Sequence, residues 1–118
     1  MTGEVTIYHN PRCSKSRATL ELLREQGIEP TIVEYLKTPP SQAELAGLLG
    51  LLGMQPRDLM RRKEAEYREQ NLDNPDLKQK DLVRAMHDTP KLIERPIVVA
   101  NGKAALGRPP EQVLDILD

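Results

Sequence analysis

The chain has 118 residues, with 17 basic side chains against 18 acidic, a net charge of −1 and three aromatics, Tyr8, Tyr35 and Tyr67. That balance gives no general attraction to nucleic acid or to an anionic membrane, and it leaves little aromatic surface on which bases stack. Leu, Ile and Val, numbering 17, 6 and 6, suffice for one domain spanning residues 1–118; no apolar run approaches the ~20 residues of a membrane span and no basic-then-apolar leader opens the chain, so a cytoplasmic protein is expected.

Val5-Thr6-Ile7-Tyr8 alternates in polarity as a strand does, and Ser14 to Gln26 follows as a helix with Ala18, Leu22 and Leu23 at helical spacing before Gly27 stops it. Thr31-Ile32-Val33-Glu34-Tyr35 is β-branched enough for a second strand, parallel to the first because a helix-length crossover separates them. Ser41 with Glu44 forms a capping box ahead of Leu45, Leu48, Leu49 and Leu52, a helix that ends near Gly50 or Gly53. The next forty residues are charged and helical in composition, with Leu59, Leu82, Val83 and Met86 as the apolar positions of an inserted helical layer. Pro96 to Ala100 is a strand opened by proline, and Asn101-Gly102 is a strong two-residue hairpin signal before Lys103-Ala104-Ala105-Leu106. Pro109-Pro110 opens a last helix with Val113, Leu114 and Leu117 as its stripe. The order β, α, β, helical insertion, β, β, α fits an α/β, thioredoxin-like four-stranded mixed sheet with a helical insertion between strands 2 and 3.

The single cysteine lies in His9-Asn10-Pro11-Arg12-Cys13-Ser14-Lys15-Ser16-Arg17, where the first strand turns into the first helix. Unpaired N–H groups and the positive end of the dipole at a helix start favour a thiolate and an oxyanion beside it. No Asp or Glu occurs from His9 to Leu20, while Arg12, Lys15 and Arg17 are basic. A helix start ordinarily favours acids, so this stretch accepts a penalty that a thiolate or bound anion relieves. A lone cysteine is more often a small buried hydrophobe; position and charge favour the nucleophile here. One cysteine makes no internal disulfide, and two separated histidines supply no zinc ligand set, so any redox cycle borrows a thiol from outside.

Five spaced motifs carry a resemblance to a known family: His9-Asn10-Pro11-x-Cys13-x-x-Ser16-Arg17, Tyr35-Leu36-x-Thr38-Pro39-Pro40, Leu59-Met60-Arg61, Glu94-Arg95-Pro96-Ile97-Val98-Val99 and Gly107-Arg108-Pro109. The chain resembles the glutaredoxin-coupled arsenate reductases, in particular their short cytosolic members. The resemblance implies a thioredoxin-like domain in which Pro96 is cis and faces the cysteine. It also implies a mechanism: Cys13 attacks arsenate, Arg61, Arg95 and Arg108 hold the oxyanion, glutathione attacks the adduct, and glutaredoxin resolves the mixed disulfide. His9, Ser16 and Arg17 match residues that help keep the thiol ionised. No bound cofactor or metal is implied, with glutathione as the electron donor. Arg12, Ser14 and Lys15 depart from the smaller or neutral residues typical of the resistance enzymes, which also carry a longer C-terminal segment.

Taken alone, Arg61 in Arg61-Arg62-Lys63 reads as part of a solvated helix face, and His87 in a charged segment as exposed. Arg95 is better placed, since the residue before a proline is extended, and Arg108 precedes a helix start where a cation is locally unfavourable. Three guanidinium forks suit a tetrahedral oxyanion. Two other readings share the fold: a thiol-disulfide oxidoreductase with another substrate, and an RNA-polymerase-binding regulator. The regulators typically carry Cys-x-x-Cys, where this chain has Ser16.

Overall fold

Ile7 is fully buried between half-buried Thr6 and Tyr8, so the alternation in the sequence becomes strand β1 (Thr6–His9) with one face in the core. The computed structural model describes residues 4–117, which form two compact units, residues 4–38 with 95–117 and residues 39–94.

The first unit is built on a mixed sheet in the order β2-β1-β3-β4. β2 (Thr31–Glu34) runs parallel to β1 with Thr6 opposite Thr31 and His9 opposite Glu34. β3 (Ile97–Ala100) is antiparallel to β1, with Ile7 opposite Val98, and β4 (Lys103–Leu106) is antiparallel to β3. The hairpin between them turns at Asn101 and Gly102, with φ of 55° and 72°, the pair of left-handed residues the Asn-Gly signal predicts. Helix α1 (Ser14–Glu25) crosses from β1 to β2. It ends in a Schellman motif, Ile28 N–H to Leu23 O at 3.0 Å and Gly27 N–H to Arg24 O at 2.9 Å, with Gly27 at φ 78°. Val5, Ile7, Leu23, Val98, Ala100, Val113 and Ile116 make one buried cluster.

Two sequence expectations are corrected in this unit. Ala18 is exposed, and the buried face of α1 is Ser16, Thr19 and Leu23. A polar pair thus occupies the inward stripe where an apolar residue was expected, because the first two turns of α1 pack near the cysteine loop. The last element is a 3-10 helix, Pro110–Ile116, not an α-helix. At three residues per turn its buried pair is Val113 and Ile116, spaced i, i+3, while Leu114 and Leu117 are half-buried.

The second unit carries α2 (Gln42–Leu52), α3 (Ala65–Glu69) and α4 (Gln79–Asp88), with short 3-10 turns at Pro56–Leu59 and Pro90–Leu92. Both halves of the Ser41–Glu44 capping box form, at 3.0 and 2.8 Å, and Gly53 rather than Gly50 ends α2 in the left-handed region. Leu59, Leu82, Val83 and Met86 are buried as expected, joined by Met60, Tyr67, Leu72, Leu92 and Ile93. His87 is half-buried rather than exposed, its Nδ1 2.9 Å from the carbonyl of Pro40.

Candidate active site

Cys13 is the N-cap of α1, extended at φ −93° and ψ 124°, and is half-buried. The loop that delivers it closes on itself: Cys13 N–H donates to Asn10 O at 3.0 Å, and Arg12 N–H to Asn10 Oδ1 at 3.0 Å. Asn-Pro after a strand is a turn opener, and here the asparagine side chain performs the turn. Burial alone pushes the Cys13 thiol up. Hydrogen bonds from Ser16 N–H, the Arg95 guanidinium and Lys15 N–H, with the charge of Arg95, outweigh it and hold the thiol below its ordinary value. These are helix-start amides and one arginine from a distant part of the chain. Arg12, Lys15 and Arg17, expected to act through their charges, are exposed, where water screens them.

His9 ends β1 almost fully buried, and its Nδ1 lies 2.6 Å from Ser16 Oγ. The same hydroxyl accepts the Asn10 N–H at 3.0 Å, and Ser16 is completely buried. Burial, against the pull of Glu34, keeps the His9 pKa below its ordinary value, so the ring is neutral at pH 7. The direction of the His9–Ser16 hydrogen bond follows the ring tautomer: Nδ1 accepts from the hydroxyl when the proton sits on Nε2 and donates to it otherwise. His9 and Ser16 therefore pin the strand end to the helix start and hold in place the Ser16 amide that reaches the thiolate. Arg17 Nη1 donates to Pro11 O at 3.0 Å and clamps the same loop from outside.

Arg95 and Pro96 precede β3, and Arg108 follows β4, so the antiparallel hairpin brings both arginines to one end of the sheet. Arg108 Nη1 donates to Arg95 O at 3.1 Å, and the Arg95–Pro96 and Arg108–Pro109 peptides are both cis. Gly107 N–H donates to Pro96 O at 3.0 Å. A Cβ on Gly107 would overlap Thr19 Oγ1 and lie 2.8 Å from Pro96 Cγ and 3.0 Å from Thr19 Cγ2. Gly107 thus joins α1, Pro96 and the Arg108 loop with no room for a methyl group. Sequence reasoning missed Asn10, Thr19 and Gly107; the Gly-Arg-Pro triplet was visible, but the reason for its glycine, a contact with a residue 88 positions away, was not.

Arg61 belongs to the helical unit. It is not on a helix face: it follows the 3-10 turn Pro56–Leu59, next to the Met60–Ile93 bridge, with its N–H on Leu92 O at 2.7 Å. Its Nη1 meets Glu94 Oε1 at 2.9 Å and its Nε lies 3.9 Å from Glu64 Oε2. Arg62 and Lys63, beside it, are the solvated residues of the run, and Arg62 pairs with Asp58 at 3.4 Å.

A four-stranded mixed sheet carrying a thiolate-stabilising helix start, with a helical insertion between β2 and β3, defines a thioredoxin-like thiol protein. The ArsC family profile matches residues 8–116, and the chain belongs to that family. It is 61% identical to the "Uncharacterized protein YfgD" of Escherichia coli strain K12, covering 99% of each chain. It is 53% identical to an arsenate reductase of Neisseria meningitidis, covering 97% of this chain and 98% of that one. Among solved structures, the arsenate reductase from Vibrio cholerae is 56% identical with a TM-score of 0.95, covering 97% of this chain and 98% of that one.

Proposed function

We propose that the chain is an arsenate reductase that draws electrons from glutathione and is restored by glutaredoxin. The observation that carries this is a lone cysteine whose thiolate is stabilised by the Ser16 and Lys15 amides and the Arg95 guanidinium. The names of the relatives at about half identity point the same way. In this reading the Cys13 thiolate displaces hydroxide from arsenate and forms a sulfur–arsenic bond. Arg95 and Arg108 hold the oxyanion oxygens, and the family resemblance gives Arg61 a like role. The glutathione thiolate then attacks Cys13 Sγ. A sulfur–sulfur bond forms, the sulfur–arsenic bond breaks, and its electron pair stays on arsenic, which leaves as arsenite, reduced by two electrons. A glutaredoxin thiolate attacks the glutathione sulfur of the mixed disulfide and returns Cys13 as thiolate. Glutathione is thus a consumed co-substrate, no resident cofactor or metal takes part, and the setting is cytoplasmic.

Ser16 favours the enzyme over a Cys-x-x-Cys regulator, because the fourth position carries a hydroxyl committed to His9 and Asn10. The test is arsenite release by purified protein with glutathione and glutaredoxin. Turnover that needs Cys13 and is lost in Cys13→Ser is expected. Absence of arsenite with every thiol donor, alongside a mixed disulfide that forms and is reversed, would leave a thiol oxidoreductase of another substrate in its place.

A further inference from the structure

β1 and β2 are parallel, and their carboxyl ends, His9 and Glu34, stand opposite one another in register. In α/β sheets the carboxyl ends of parallel strands are where ligands are bound, because the loops leaving them diverge. Here the loops are two tight turns. One runs from Asn10 to Cys13, closed by Cys13 N–H on Asn10 O. The other leaves β2 with Lys37 N–H and Thr38 N–H both on Glu34 O at 2.9 Å. Between them lies a pocket of about 230 Å³ lined by His9, Asn10, Pro11, Arg12, Glu34, Leu36 and Lys37.

The lining has a definite chemistry. Pro11 and Leu36 give an apolar wall, and Leu36, 45% exposed, is one of three large apolar side chains left open to water among the described residues. Arg12 and Lys37 place a cation on each turn, and Glu34 sets one carboxylate between the strand end and Lys37. The Lys37–Glu34 pair, 3.5 Å apart with Lys37 78% exposed, is a solvent-screened contact that holds its partners weakly. Both groups are therefore available to a ligand. Two cations and one anion around an apolar patch complement a short zwitterionic peptide with two carboxylates and one ammonium group.

We infer that this pocket seats the peptide part of the co-substrate thiol, a γ-glutamyl tripeptide of the glutathione class, with its carboxylates on Arg12 and Lys37 and its ammonium group on Glu34. The inference rests on the reading above that an external thiol attacks Cys13 Sγ. Arg12, which lines the pocket, is the chain neighbour of Cys13, and a three-residue peptide spans about 10 Å when extended, so a thiol in mid-peptide reaches the cysteine from a seat on the β2 side. Arg95 and Arg108, which flank β3 and β4, do not line this pocket. The arginine at position 12 and the lysine at 37 then act as specificity determinants for the thiol, not for arsenate.

The test uses the full chain and no arsenate, so it fails or succeeds independently of the reductase reading. Reduced protein is mixed with glutathione disulfide or with hydroxyethyl disulfide, a neutral molecule bearing the same sulfur–sulfur bond. Formation of the mixed disulfide at Cys13 is followed by mass spectrometry, and the ratio of the two rates is the readout. In the wild type the ratio is expected well above one. It should fall about 10-fold in Lys37→Glu and in Leu36→Asp, since each converts a favourable contact into a repulsive or desolvated one worth roughly a tenfold change in affinity. Charge reversal at Lys103, exposed on β4, measures the effect of net charge alone. A wild-type ratio near one, a ratio insensitive to Lys37→Glu and Leu36→Asp, or an equal fall in Lys103→Glu would each overturn the seat.

Discussion

Replacing Gly107 by alanine tests whether the junction beneath the two arginines is as full as its geometry indicates. The backbone there needs no left-handed residue, unlike Gly27, Gly53 and Gly102, so the cost comes from space alone. The new methyl group would overlap Thr19 Oγ1 and press on Thr19 Cγ2 and Pro96 Cγ, at 3.0 and 2.8 Å. Thr19 is fully buried and its hydroxyl donates to Lys15 O at 2.8 Å, so turning it away also breaks that bond. Overpacking of this kind costs about 1–3 kcal/mol and the lost hydrogen bond about 1 kcal/mol more. A total near 3 kcal/mol lowers the melting temperature of a chain this size by about 10 °C. Calorimetry on Gly107→Ala, Thr19→Ala and the double variant measures it. Thr19→Ala removes both Thr19 atoms in the way, so the double variant should be more stable than the sum of the singles by at least about 1 kcal/mol. Additivity within about 0.5 kcal/mol would refute the argument.

Iodoacetamide alkylation of Cys13 against pH should inflect below the ~8.5 of a free thiol, and Arg95→Ala should move the inflection upward; an unmoved inflection removes Arg95 as a source of thiolate stability. The His9 ring, followed by NMR, should titrate below about 6.5. Because the folded value is depressed, the stability it contributes is complete above the unfolded value and lost as pH falls through the folded one. An ordinary His9 titration in the wild type would contradict it. Arg95→Ala and Arg108→Ala should each raise the arsenate KM by roughly 10- to 150-fold, the loss of charge-assisted hydrogen bonds worth ~1.5–3 kcal/mol. Unchanged KM at matched melting temperature would return both residues to the surface.

The elements that were legible in the sequence are those specified by neighbouring residues. Asn101-Gly102 dictates a hairpin because both positions need left-handed backbone, and the strands on either side pair as the signal implies. Ser41 and Glu44 fix the start of α2 through bonds three residues apart. The final helix was legible as a helix and not as a 3-10 helix, since Val113, Leu114 and Leu117 fit either period until Ile116, packed in the sheet unit's core, selects three residues per turn. Ala18 was misread for a related reason. Helical spacing identifies which residues share a face, but the inward face of α1 is set by polar Ser16 and Thr19, which serve the cysteine loop and Gly107.

The same distinction governs the site. Cys13 stood out because a strand-to-helix turn activates a thiol through local amides, and those amides are two of the three groups bonded to it. The third, Arg95, comes from 82 positions further on; its place before Pro96 marked it in the sequence, but nothing local said that it reaches the thiol. Arg61 shows the opposite failure, where local pattern misleads. A run of three basic residues reads as a solvated face because charge runs ordinarily are one. Yet Arg61 leaves the 3-10 turn extended, so its side chain reaches Glu94 at 2.9 Å and Glu64 at 3.9 Å while Arg62 keeps to solvent. Two carboxylates offset its charge, so an anion attracted to Arg61 must compete with them, whereas Arg95 spends its guanidinium on the thiolate that the proposed reaction would consume. In the proposed reaction, therefore, Arg95 is the arginine whose thiolate partner is lost as the sulfur–arsenic bond forms.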